Sequence, residues 1–164
     1  MTNPRKPAQI LRADEIRERR RLVGHDWNPK SRFRGTAVTR LGGLERCFAS
    51  VAWLEPGDES FCYHAHEREE EWLYIIAGRA VAEIDGQKLE VGPGDFLAFP
   101  VPSVAHNLGN PFSEPCMYLM GGDNQSLEII DYPRMGRRVL LESRPGQRTL
   151  FHTLDAGETP FGAR

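Results

Sequence analysis

Between about residue 35 and residue 121 the chain runs in short apolar stretches cut by glycine and proline. The pattern predicts strands over 36–41, 46–54, 60–66, 71–77, 80–85, 88–91, 96–99, 104–108 and 115–120. Pro56-Gly57, Asp85-Gly86 and Gly92-Pro93-Gly94-Asp95 lie between them as turns. Asp85-Gly86 stands between two alternating runs, the pattern of a two-residue hairpin, because both residues tolerate positive φ. No helix-length periodic segment interrupts this stretch, which excludes a βαβ architecture and leaves an all-β sandwich or barrel. Residues 1–34 carry weaker signals: a short helix capped near Ala13-Asp14, with Arg17, Arg19, Arg20 and Arg21 as a solvated charge run. In residues 122–164, segments 127–130, 139–141 and 149–154 read as strands and Arg144-Pro145-Gly146 as a turn. The resulting division is an N-terminal arm (1–34), a β-barrel (35–121) and a C-terminal extension (122–164) that packs on the barrel or on a partner subunit. No internal repeat is present, so the barrel occurs once.

Composition narrows the class without changing this picture. The chain has 164 residues, 40% hydrophobic and 27% charged, as expected of a single soluble globular domain. A net charge of −2, with Asp14, Glu15 and Glu18 diluting the arginines, argues against a nucleic-acid partner. No apolar run nears the roughly 18 residues of a membrane span, and the polar, basic start lacks the apolar core of a signal peptide. Cys47, Cys62 and Cys116 are an odd set at wide spacing, neither a disulfide framework nor a CxxC zinc site. Reduced thiols and a cytoplasmic location follow.

The candidate chemistry lies in residues 57–78, GDESFCYHAHEREEEWLYIIAG. His64 and His66 are two apart, so on a strand both imidazoles project from one face, and Cys62 precedes them there. Glu71 opens the next apolar run, sharing a face with Leu73 and Ile75, and a turn through Glu67-Arg68-Glu69 can bring it back beside the histidines. A carboxylate at the inward start of an apolar strand needs a partner, since burying a lone charge is costly, and a metal ion supplies one. His106, after Pro100 and Pro102, is the fourth candidate. Three imidazoles and one carboxylate suit one divalent transition metal: Mn, Fe, Co, Ni, Cu or Zn. A mixed nitrogen and oxygen set resembles an open, reactive site more than a closed structural one.

At these residues the chain resembles the cupin superfamily, and in particular small bacterial monocupins of unassigned activity. Gly57, His64, His66, Glu71 and Gly78 match the first cupin motif, and the six-residue gap to Gly78 selects Glu71 over Glu70. Gly94, Pro100, His106 and Asn110 match the second. The loop after Pro100 is one residue longer than the family pattern, with Pro102-Ser103 where a glycine is usual. The resemblance covers roughly 45–121, and the tail, with LMGGDN and Tyr132-Pro133, is also similar to those monocupins. It implies a double-stranded β-helix (jelly-roll) barrel, a metal at its centre and often a homodimer.

Other residues have simpler readings. Cys62 reads as a small core residue. Trp53, Trp72, Phe96 and Phe99 read as core or interface, and His25 and His152 as surface or capping residues. Tyr63, Tyr74 and Tyr118 are candidates to line a cavity. The functional expectation is a metalloenzyme acting on a small organic molecule at the barrel centre, a dioxygenase, isomerase or lyase, with Glu71 as ligand or proton acceptor. The alternative is a non-catalytic barrel that binds a sugar or metabolite.

Overall fold

The computed structural model describes residues 9–143 and 150–155. After a six-residue helix, α1 (Ala13–Glu18), the chain is almost entirely antiparallel sheet. The strands are β1 (Arg21–His25), β2 (Asn28–Ala37), β3 (Cys47–Leu54), β4 (Ala65–His66), β5 (Glu71–Ala77), β6 (Ala80–Ile84) and β7 (Gln87–Val91). They continue with β8 (Phe96–Phe99), β9 (His106–Gly109), β10 (Cys116–Asp123), β11 (Leu127–Tyr132), β12 (Arg137–Glu142) and β13 (Leu150–Asp155). One face is a six-stranded sheet, β1-β2-β3-β10-β5-β8; facing it are β7-β6-β9 and β13-β12-β11-β4. The bridge between His64 and His106 joins β9 to the segment that leads into β4. This is an all-β barrel, as the strand spacing predicts, of the jelly-roll form that the family resemblance implies.

Alternation places the core. On β5, Glu71, Leu73 and Ile75 are buried while Tyr74 and Ile76 are exposed. The inward row continues across the sheet: Ile75 pairs with Tyr118, and Tyr118 with Ala52. Leu54, Ile75, Leu108 and Tyr118 have no exposed surface. The β6–β7 hairpin turns at Asp85 and Gly86, with φ of 49° and 75°, and pairs Ile84 with Gln87 as the Asp-Gly signal requires.

Three elements differ from expectation. β1 and β2 form an antiparallel hairpin inside residues 21–37, with a register shift between Gly24 and His25, where the sequence shows little apolar content. Only Ser31, Phe33, Gly35 and Thr36 of β2 are buried, and Pro29 sits near its start, where a strand tolerates the missing N–H. The expected strand at 36–41 ends at Ala37, and Val38–Leu41 forms a single helical turn, α2. Residues 60–66 are not one continuous strand. Glu59 bridges both Ser31 and Gly109, so this segment stitches the two walls together, and only Ala65–His66 remains regular. The expected turn at Arg144-Pro145-Gly146 lies outside the described residues, whereas the tail strands appear as β11, β12 and β13.

Candidate metal centre

The barrel brings four separately placed side chains to one point. His64 and His66 flank β4, Glu71 opens β5, and His106 opens β9. All four are buried, and their ligand atoms lie within 4.8 Å of one another. Nε2 of His64 is 3.0 Å from Nε2 of His66. Oε2 of Glu71 is 3.1 Å from Nε2 of His106, 3.3 Å from that of His66 and 3.7 Å from that of His64.

Hydrogen bonds behind the cluster set its polarity. Nδ1–H of His64 donates to the Cys62 carbonyl at 2.7 Å, and Nδ1–H of His106 donates to the Val104 carbonyl at 3.0 Å. A carbonyl only accepts, so each Nδ1 carries a proton, and Nε2 is the atom each ring turns to the centre, where it can meet Glu71 or a metal. Nδ1 of His66 faces a carboxylate instead, 3.4 Å from Oε1 of the fully buried Glu128, an ion-pair contact without hydrogen-bond alignment. Phe99 stacks flat on His106 with centroids 3.6 Å apart and fixes that ring.

The charge balance reflects this crowding. Burial alone lowers the basicity of His66, but Glu128 and Glu71 outweigh it and push its pKa up to about 9. Burial lowers that of His64, with Glu71 opposing. Burial pushes the Glu71 carboxyl up, but hydrogen bonds with His106, His64 and His66 hold it well below the usual carboxylate range. Without a metal, a proton on His66 is the cation of the cluster.

The donor set fits a metal. Two ligand atoms each about 2.1 Å from one ion lie about 3.0 Å apart at a right angle and about 3.4 Å apart at a tetrahedral angle. The His64–His66 separation and the three from Glu71, 3.0 to 3.7 Å, span that range, and every pair in the cluster lies within 4.8 Å. Lone pairs converging from backbone-anchored imidazoles, with a carboxylate between them, are compatible with one divalent ion.

The loop that departs from the family pattern supports the cluster. Ser103 accepts the His66 N–H on its Oγ at 2.8 Å and donates its own N–H to the His66 carbonyl at 2.8 Å. Asn110 donates to the Leu54 and Glu114 carbonyls and so ties the end of β9 to the neighbouring wall.

A cavity of about 720 Å³ opens onto His64, His66 and Glu71. Its walls are Trp27, Phe48, Phe61 and Met120, with His25 and Tyr132 as polar members. His25, read from sequence as a surface or capping residue, is therefore a cavity residue: its buried Nδ1 has no hydrogen-bond partner, and its ring packs 5.4 Å from Tyr132 and 4.6 Å from Trp27. Tyr132 in turn stacks 6.0 Å from His64. Of the tyrosine candidates, Tyr118 is buried in the core, Tyr74 is exposed, and Tyr63 packs under Arg134. Cys62 packs against Tyr132 and Val139 as a core residue. The sequence context of Glu128, a polar residue amid an apolar run, gives no sign of its burial, and Tyr132 stands out in sequence only as part of the family-like Tyr132-Pro133 segment.

A jelly-roll barrel with three histidines and one glutamate meeting at its centre defines a class of small barrel proteins with a candidate metal site. Residues 51–122 match the family model of the cupin domain, and the fold is that of a cupin barrel. Among solved structures, a protein of Acidithiobacillus ferrooxidans, provisionally named a sugar phosphate isomerase, is 26% identical. It aligns over 94% of this chain and 97% of its own, with a TM-score of 0.82. A cupin of Silicibacter pomeroyi, named a sugar phosphate isomerase, shares the fold at 24% identity, covering 94% and 98% of the two chains with a TM-score of 0.79. An uncharacterized protein of Methanocaldococcus jannaschii is 28% identical over 92 residues, 54% of this chain and 72% of its own. No helix among the described residues is long and apolar enough to cross a membrane.

Proposed function

We propose that the protein is a metal-dependent isomerase that interconverts a small hydroxy-aldehyde and hydroxy-ketone, with His64, His66, Glu71 and His106 as metal ligands. The observation that carries this reading is His25: an unpartnered imidazole on the wall of the cavity that opens onto the cluster. A divalent ion there would act as a Lewis acid on neighbouring carbonyl and hydroxyl oxygens. Aldose–ketose interconversion also needs a group that takes a proton from one carbon and returns it to the next, while the hydroxyl proton passes between the two oxygens. Oxygenation makes no such demand. Burial lowers the basicity of His25 against the raising effect of Asp26, which leaves it neutral and able to accept a proton at neutral pH. Glu71 acts as a ligand, because its Oε2 is committed to three imidazoles. Burial pushes the Tyr132 hydroxyl up to about 12, so it keeps its proton and serves as a donor. The name carried by the A. ferrooxidans structure points to the same reaction class.

The test is proton exchange. Protein loaded anaerobically with Fe(II), Mn(II), Co(II), Ni(II) or Zn(II) is incubated in D2O with a panel of aldoses, ketoses and their phosphates. Metal-dependent deuterium incorporation at the carbon next to the carbonyl is the expected result. Oxygen uptake without exchange would establish the dioxygenase reading, and saturable binding without turnover the non-catalytic one. A cytoplasmic homodimer belongs to the same proposal, on the strength of the family resemblance; light scattering on the purified protein tests the dimer.

A further inference from the structure

A second cavity, about 760 Å³, lies beside the first, and Phe61 and Met120 line both. Its chemistry is different. Arg19, Arg21 and Arg40 line it, together with Ser50. The three guanidiniums come from separate elements: the C-cap of α1, the start of β1 and the turn α2. None of the three has an ion-pair partner among the described residues; Arg21 donates only to the neighbouring Arg20 carbonyl. The charge run of the N-terminal arm is thus divided by the fold. Arg20 lies over Trp53, whereas Arg19 and Arg21 line the cavity.

Register places this cavity relative to the metal ligands. Arg21 pairs with Gly35, and Gly35 with Ala52, on the row that carries the core residues Tyr118 and Ile75. Ser50 pairs with Met120, one inward step along the strands from the row of Phe48, Gly122 and Glu71. Ser50 on β3 and Glu71 on β5 are separated only by β10. Two strand spacings across and one two-residue step along the strands make about 12 Å, and the cluster and the arginine side chains reach toward each other from the two ends of that span, leaving about 10 Å or less between them. That is the length of a five- or six-carbon chain from a carbonyl at one end to a phosphate at the other.

We propose that Arg19, Arg21 and Arg40 form a phosphate-binding subsite, which takes the terminal phosphate of a substrate whose carbonyl end lies at the His64–His66–Glu71–His106 cluster. This rests on the isomerase reading for the identity of the other end, but not for the subsite itself. Guanidinium forks match phosphate oxygens in bidentate fashion, and all three arginines are exposed along the concavity, where an incoming anion can reach them. Three cations with no ion-pair partner among the described residues face one concavity and repel each other, and a dianion relieves that repulsion.

The experiment measures binding of inorganic phosphate to zinc-loaded protein by calorimetry in 150 mM KCl. Saturable binding is expected, weakened about 100-fold in R21Q/R40Q, at about tenfold per lost charged contact. The R21K/R40K protein, which keeps the charge and loses the fork, should fall between. An aldose 5-phosphate should displace phosphate, and the parent aldose should not. Equal affinity in wild type and R21Q/R40Q, or no binding at this salt, would overturn the subsite. The H64A protein separates the two ideas. If it loses metal and exchange but still binds phosphate through the arginines, the subsite stands apart from the metal. Arginine-dependent phosphate binding in a wild-type protein that exchanges no substrate proton would defeat the isomerase reading and leave the subsite intact. Equal kcat/KM for phosphorylated and unphosphorylated aldoses would defeat the substrate assignment.

Discussion

Glu128 stands behind His66 as a second carboxylate, on the opposite side of the ring from Glu71. Oε1 of Glu128 is 3.4 Å from Nδ1 of His66, while Nε2 of the same ring is 3.3 Å from Glu71. A carboxylate behind a metal-bound imidazole orients the ring and raises its basicity as a donor. Glu128 also accepts the backbone N–H groups of Glu67 and Arg68 at 3.1 and 3.3 Å, which shapes the turn into Glu71. Glu128→Gln keeps an oxygen for those two bonds and removes the charge behind His66. We expect it to lower metal affinity about 10- to 100-fold with little change in the fold. Chelator competition for Zn(II) or Co(II) measures this, and an unchanged affinity would mean that Glu128 serves the turn alone.

His25 is predicted to move protons without holding metal. His25→Asn should lower kcat by about 10²- to 10⁴-fold, with metal content at the wild-type level. His64→Ala should instead remove the metal and leave a folded protein. Elemental analysis beside the exchange assay separates the two. A His25 variant that lost its metal would place that residue in the structural support of the site.

The all-β class and the His64–His66 pair were legible from local pattern, whereas the jelly-roll form, the choice of Glu71 over Glu70 and the match of His106 rested on the resemblance to a family motif. His64 and His66 needed only strand alternation, Glu71 as a candidate only an apolar strand with a charge at its inward start, and Asp85-Gly86 only its turn chemistry. His25, on the wall of the cavity that opens onto the cluster, was not legible, because β1 and β2 bury so few apolar side chains that the hairpin carrying it leaves almost no hydrophobic signal. Glu128 was hidden for a related reason. On β11 it follows Leu127 and precedes Ile129 and Ile130, and alternation there does not tell which face carries the site. Ser103 was visible only as a departure from a motif, and its two bonds to His66 exist only once the loop is folded against β4.

Arg134 ties the β11–β12 turn to the three-stranded wall. Its guanidinium meets both carboxylate oxygens of Glu83, at 3.1 and 2.5 Å, and lies 4.2 Å over the Tyr63 ring. Half of the arginine is exposed, so solvent screening limits the pair to about 1 kcal/mol. Arg134→Ala should therefore lower Tm by roughly 2–4 °C. The hydrogen bond from Arg134 holds the Glu83 carboxyl below its ordinary range against the opposing effect of burial. The pair's stabilisation is then fully present above the unfolded carboxylate value of about 4.3 and is lost as pH falls through the lower folded value. The Tm difference between wild type and Arg134→Ala should be constant from pH 5 to 8 and close in more acidic buffer. A difference that widens in acid would show that the contribution is not the ion pair.

Gly78 and Gly86 share a backbone conformation and differ in their surroundings, which makes them a matched pair. Their φ angles are 73° and 75°. A Cβ on Gly86 would meet nothing within 4 Å, whereas one on Gly78 would stand 2.2 Å from the Pro115 carbonyl oxygen and 3.0 Å from Cys116 Cα. Gly86→Ala should therefore cost only the left-handed backbone penalty, about 1 kcal/mol. Gly78→Ala adds a collision with backbone that cannot turn away, so β5 and β10 must part where Ala77 and Met117 pair. A total of about 3 kcal/mol or more is expected, as for an overpacked core site, and a Tm loss at least twice that of Gly86→Ala. Because β5 carries Glu71 at its other end and β10 stands between Glu71 and Ser50, the same variant should also weaken metal binding, which Gly86→Ala should not. Equal losses of Tm in the two variants would show that the β5–β10 junction yields without strain.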